Sequence, residues 1–156
     1  MRRIPRVLTL FSVVAIGLGA SACSGTAATP SPTAAQSAAA GTVAVTLSEW
    51  KVVPASATAA AGPITFAVTN SGSQMHEFVV VKTDLNADAL PVADNKIDES
   101  TLTPVDEIED IAVDASGEVT VTLEAGSYIL LCNIYDEGED EAHYTMGMRV
   151  AFTATD

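Results

Sequence analysis

"YILLCNIYDEGEDEAHYTMGMRV", Tyr128 to Val150, is the stretch on which the reading of this chain turns. An apolar run of strand character ends in Cys132. An acidic, glycine-containing connection follows, and then His143, Met146 and Met148 arrive together. The other cysteine, Cys23, sits near the N-terminus, so Cys132 stands alone in the remainder of the chain. A lone thiol next to an imidazole and thioethers is a donor set for a soft metal ion, which would hold the sulfur as thiolate.

Outward from this stretch the pattern is of strands. Val43–Leu47, Ile64–Asn70, Glu118–Leu123 and Arg149–Thr155 alternate between apolar and polar residues, whereas His76–Lys82 and Ser127–Ile134 are more continuously apolar. Turn residues at Ala61–Pro63, Asn70–Ser73, Ser116–Gly117 and Ala125–Ser127 separate the runs. Short β-branched strands with this punctuation predict an all-β protein, an antiparallel Greek-key β-sandwich. The middle stretch, Asp84 to Asp114, is acidic and carries Pro91 and Pro104. It reads as a long connection with a helical turn and a short edge strand.

The N-terminus reads as an export signal over residues 1–22. Arg2, Arg3 and Arg6 precede an apolar run from Val7 to Ala20, which is shorter than the roughly 20 residues a spanning helix needs. "GASAC" resembles a bacterial lipobox, and that resemblance makes Cys23 the lipid-modified first residue of the mature protein. The alternative is ordinary signal cleavage and a secreted chain. Residues 23–41 have no charge and no bulky apolar side chain, so they predict a disordered tether with a reach on the order of 25 Å. The domain proper is then 42–156. Without the three signal arginines, four basic residues face twenty acidic ones, 4 − 20 = −16. Such a surface repels nucleic acid and anionic headgroups and favours a basic protein partner or cations.

Strand ends from distant parts of a sandwich converge at one pole, and His76, Cys132, His143 and Met148 all fall at such ends. Two imidazoles and a thiolate form a trigonal donor set, to which a thioether adds a weak axial contact. Soft sulfur suits Cu(I), and imidazole suits both copper oxidation states.

With these residues in view, Val43 to Thr155 resembles a cupredoxin, the blue-copper family of plastocyanin and azurin. "NSGSQMHEFVV" is similar to that family's first ligand segment, and "HYTMGM" with "GMRVAFTA" to its last ligand loop and strand. The resemblance implies one copper ion held by His76, Cys132, His143 and Met148, with Met148 preferred to Met146 on family spacing. Two departures stand out. Ten residues separate Cys132 from His143 where well-known members have about two to four, although lengthening a loop costs little closure entropy. Glu77 occupies a position that is often Asn in the family, where it anchors the loop and the cysteine sulfur.

The expected function is that of an exported single-electron carrier, tethered to the outer face of the cytoplasmic membrane or periplasmic. Its partner would be a cytochrome or a copper oxidase. One metal site without paired carboxylates gives no basis for catalysis on a substrate. Copper sequestration or delivery at the cell surface is a second reading, and a metal-free sandwich lipoprotein for partner binding is a third. Trp50 carries no cofactor expectation, and the acidic residues of 136–141 read as a solvated loop tip or a docking rim.

Overall fold

Alternation over the first half of the domain builds β1 (Gly41–Ser48), β2 (Lys51–Pro54), β3 (Thr58–Ala60) and β4 (Gly62–Asn70), followed by β5 (His76–Lys82). A small hairpin, β6 (Val92–Ala93) and β7 (Lys96–Ile97), precedes β8 (Thr103–Ile111), β9 (Ser116–Leu123) and β10 (Gly126–Leu131). A second small hairpin, β11 (Tyr135–Asp136) and β12 (Glu141–Ala142), leads into the one-turn helix α1 (His143–Met146) and the last strand, β13 (Arg149–Thr155). The computed structural model describes residues 41–156; the expected signal segment, Cys23 and the tether as far as residue 40 lie outside the described residues. Gly41, read as the end of the tether, is the first residue of β1 and pairs with Ile64.

Two sheets face each other, one in the order β2-β1-β4-β9 and the other β3-β13-β10-β5-β8. The chain crosses between them from β2 to β3, β3 to β4, β4 to β5, β8 to β9 and β9 to β10, giving the expected Greek-key sandwich. Between the sheets the rings of Phe66, Phe78 and Phe152 pack at centroid distances of 5.3 and 5.4 Å, surrounded by buried Val, Ile and Leu side chains. Burial of this kind stabilises by about 1.5–3 kcal/mol for each large apolar side chain.

β5 and β10 read as continuous apolar runs because both of their faces are covered. Phe78, Val80, Tyr128 and Leu130 face the inter-sheet core. Val79, Val81, Ile129 and Leu131 face outward into a second cluster with Leu90, Ile97 and Tyr144. The segment between β5 and β8 supplies that outer cover. It contains the expected helical turn, a 3₁₀ turn at Glu99–Thr101 in which the Ser100 amide donates to the Asp98 side chain (3.1 Å).

The middle stretch is more structured than its composition suggests, since β8 is a nine-residue strand rather than a short one. It lies at the sheet edge against β5, with most of its acidic side chains in solvent. Its inward residues Val105, Ile108 and Ile111 fall at every third position, because two register shifts interrupt the pairing with β5, so the sequence shows no alternation there. The exposed acids also block edge-to-edge pairing. The run expected to extend to Ile134 stops as a strand at Leu131. There the Cys132 N–H turns to the carbonyl of Met148 (3.0 Å).

Strand direction sets where the ligand-type residues gather. β10 runs antiparallel to both of its neighbours, and Leu131 at its end pairs with Val79 of β5 and Arg149 of β13. The end of β10 therefore lies beside the start of β5, which is His76, and the start of β13, which Met148 immediately precedes.

Candidate metal centre

The turn before His76 is shaped by its own side chains. Asn70 Nδ2 donates to the carbonyls of Gln74 (2.7 Å) and Ile111 (2.9 Å), and its Oδ1 accepts from the Gly72 amide (2.9 Å). On the other side the ten-residue connection from Cys132 to His143 folds back as the β11–β12 hairpin, with Asp136 Oδ1 accepting from the Gly138 amide and Tyr135 donating to Asp140. The base of this hairpin is closed by the His143 amide donating to the Ile134 carbonyl (2.9 Å). The connection thus projects outward and returns His143 to the side of Cys132.

Three of the four expected donors meet. His76 Nδ1 lies 3.2 Å from His143 Nδ1, and Cys132 Sγ lies 3.3 Å from that same nitrogen. All three donor atoms fall within 4.8 Å of one another, and all three residues are buried. Met148 is fully buried in the same core cluster as Cys132, whereas Met146 is 41% exposed. The Met148 amide donates to the His143 carbonyl, and its own carbonyl accepts from Cys132, which ties the ends of the ligand loop together.

The electrostatics of this cluster are costly without a cation. Burial pushes the Cys132 thiol up to about 12, against the favourable Glu77 amide that donates to its sulfur at 3.4 Å. Burial lowers His76 despite the nearby Glu49 carboxylate, and burial followed by repulsion from His76 lowers His143. The Nε2 atoms of both rings are buried without a hydrogen-bond partner. Two imidazole Nδ1 atoms and a sulfur that converge in a buried space form a mixed nitrogen and sulfur donor set, which suits a soft metal ion.

The substitution at Glu77 does not remove the anchoring expected there. The bond to sulfur comes from its backbone amide and so is independent of its side chain, while its carboxylate accepts from the Asn133 amide (2.6 Å). Burial raises the pKa of this carboxyl despite that bond.

Sequence reasoning missed other contacts. The ring of Trp50 sits edge-on to His143 at 5.1 Å, Glu49 reaches the first ligand turn, and Asn133 clamps the outer segment. No periodicity or spacing marks these residues, because each acts across the tertiary structure.

Gly147, between His143 and Met148, has φ of +127°, and a Cβ there would lie 3.0 Å from the Trp50 carbonyl. Gly147→Ala is expected to cost about 1–3 kcal/mol in denaturant unfolding through backbone strain. An unchanged midpoint would show that the ligand loop tolerates a different path.

No protein-family model and no curated protein sequence matches the chain. Among solved structures, reduced auracyanin from Roseiflexus castenholzii superposes with a TM-score of 0.53 at 21% identity, over 76% of this chain and all of that one. Auracyanin B gives 0.50 at 23% identity over 75% of this chain and 90% of its own. A rusticyanin variant gives 0.50 at 18% identity over 79% and 85%. The domain of residues 41–156 has the cupredoxin fold, with His76, Cys132 and His143 placed together to form a metal site.

Proposed function

We propose that this protein holds one copper ion and passes single electrons between redox partners outside the cytoplasm. The observation that carries the reading is the convergence of two buried imidazoles, through their Nδ1 atoms, and one buried thiol within 4.8 Å. Copper bound there supplies one-electron exchange between its Cu(I) and Cu(II) states. His76 and His143 would offer nitrogen to a bound ion, Cys132 thiolate sulfur, and Met148, buried in the same cluster as Cys132, a thioether.

The chain's own part is to hold these donors still. Two sheets, the closed base of the inserted hairpin and the amide on the cysteine sulfur fix the ligand positions before any metal arrives. Little then needs to move when the charge changes. Cys23 anchors the domain to the membrane through lipid in this reading. The excess of acidic residues favours docking of a cationic redox protein, such as a cytochrome or a copper oxidase, over a small transient interface.

The test is to load the protein with one equivalent of copper(II) and record its visible and paramagnetic-resonance spectra through cycles of reduction and reoxidation. A strong thiolate-to-copper band that bleaches and returns is expected, and His143→Ala should lose it. A colourless protein that holds only Cu(I) would mean sequestration or delivery instead. Absence of tight binding would leave a metal-free sandwich.

A further inference from the structure

The turn between β1 and β2 touches both imidazoles. Trp50 meets His143 through its ring edge, and Glu49 meets His76. Glu49 Oε1 accepts from the backbone amides of Ser73 (2.8 Å) and Gln74 (2.9 Å) and lies 3.4 Å from His76 Nε2. At that distance the contact with the ring is electrostatic rather than an aligned hydrogen bond. It is nevertheless the polar approach made to a nitrogen that is otherwise without a partner.

The carboxylate is held in place from two directions. The two amides fix its oxygen from one side. On the other, Gly72 leaves it room, since a Cβ at that position would fall 2.5 Å from Glu49 Oε1. The carboxyl group of Glu49, fixed by two amides, therefore faces one nitrogen of His76, while the other nitrogen faces His143 and Cys132.

An imidazole has two nitrogens, and only the one without a proton can bind a metal ion. The geometry points to Glu49 as the positioning residue for His76, its carboxylate keeping the proton on Nε2 so that Nδ1 is presented to the metal. This deepens the copper reading and rests on it. Among the described residues His143 Nε2 has no such partner, and the Trp50 ring stands beside that imidazole in a T-shaped arrangement. The two nitrogen ligands are thus held by different means. A carboxylate behind a ligating histidine also raises the basicity of that ligand and favours the more highly charged ion.

The test uses ¹⁵N-labelled protein, metal-free at neutral pH for the histidine tautomers, and then copper-loaded for affinity and reduction potential. In the parent, His76 should carry its proton on Nε2. Glu49→Ala should mix the tautomers of His76 and weaken copper(II) binding by about 10–100-fold. Glu49→Gln keeps an acceptor oxygen but loses the charge, so it should retain the tautomer and raise the potential above the parent's. The inference is overturned if metal-free parent His76 is protonated on Nδ1, or if Glu49→Gln leaves the potential unchanged. It is equally overturned if a folded Glu49→Ala binds copper as the parent does. A parent that binds no copper would instead overturn the reading beneath it, and the metal-free tautomers would still report on Glu49.

Discussion

Cys132→Ser should abolish the visible absorption of the copper-loaded protein and weaken copper binding by more than the 10–100-fold that loss of an outer hydrogen-bond partner costs. It should also change the proton balance. Desolvation pushes the Cys132 thiol up to about 12, so at neutral pH the metal-free protein carries a protonated sulfur. Burial lowers both histidines, which are therefore neutral and give up no net proton on binding. Copper must displace one proton, that of the thiol. The parent should release one per ion, and its affinity should rise about tenfold per pH unit above the histidine titrations. A serine hydroxyl keeps its proton, so the variant should release none. Calorimetry in two buffers of different ionisation enthalpy counts the protons. A serine variant with the parent's spectrum and proton count would remove Cys132 from the site.

How far such a centre can be read from sequence depends on what each residue must do. Strands were legible where one face is buried and the other wet, as along β1, β4 and β9. Alternation is then the direct imprint of the sheet on the chain. The runs in β5 and β10 were legible for the opposite reason, being covered on both faces, but the sequence does not say what covers them. β8 was underestimated because an edge strand that points its acids to water looks like a loop. The donors stood out because histidine and cysteine are scarce here and fall at strand ends, and the structure brings His76, Cys132 and His143 together.

Their supports did not stand out. Among the described residues the buried polar side chains Asn70, His76, Asn133 and His143 all lie at this end of the sandwich. The two asparagines earn their burial through bonds to segments far away in sequence. An asparagine in a turn or after a strand is ordinary by composition. Only the fold reveals that its amide is fully used.

Asn133→Ala tests that dependence and should cost about 2–4 kcal/mol in denaturant unfolding, because buried partners are left unsatisfied. Asn133 Oδ1 accepts from the Ile97 amide (2.5 Å), and its Nδ2 donates to the Ile97 carbonyl (3.1 Å) and to Glu99 (2.7 Å). It thereby pins the β6–β7 hairpin to the residue that follows Cys132. Tyr144, directly after His143, makes the matching attachment, its hydroxyl donating to the Ala87 carbonyl (2.5 Å) and accepting from the Leu90 amide (3.1 Å). The segment that seals the outer face of β5 and β10 is thus fastened at the two positions next to the ligands. Loosening it at Asn133 should expose Leu90, Ile97 and Tyr144 and free the chain on one side of the sulfur. Amide exchange in residues 84–102 should therefore quicken along with the loss of stability. If exchange there stays at the parent's rate, the cover is held by its apolar contacts alone, and the asparagine is not the clamp.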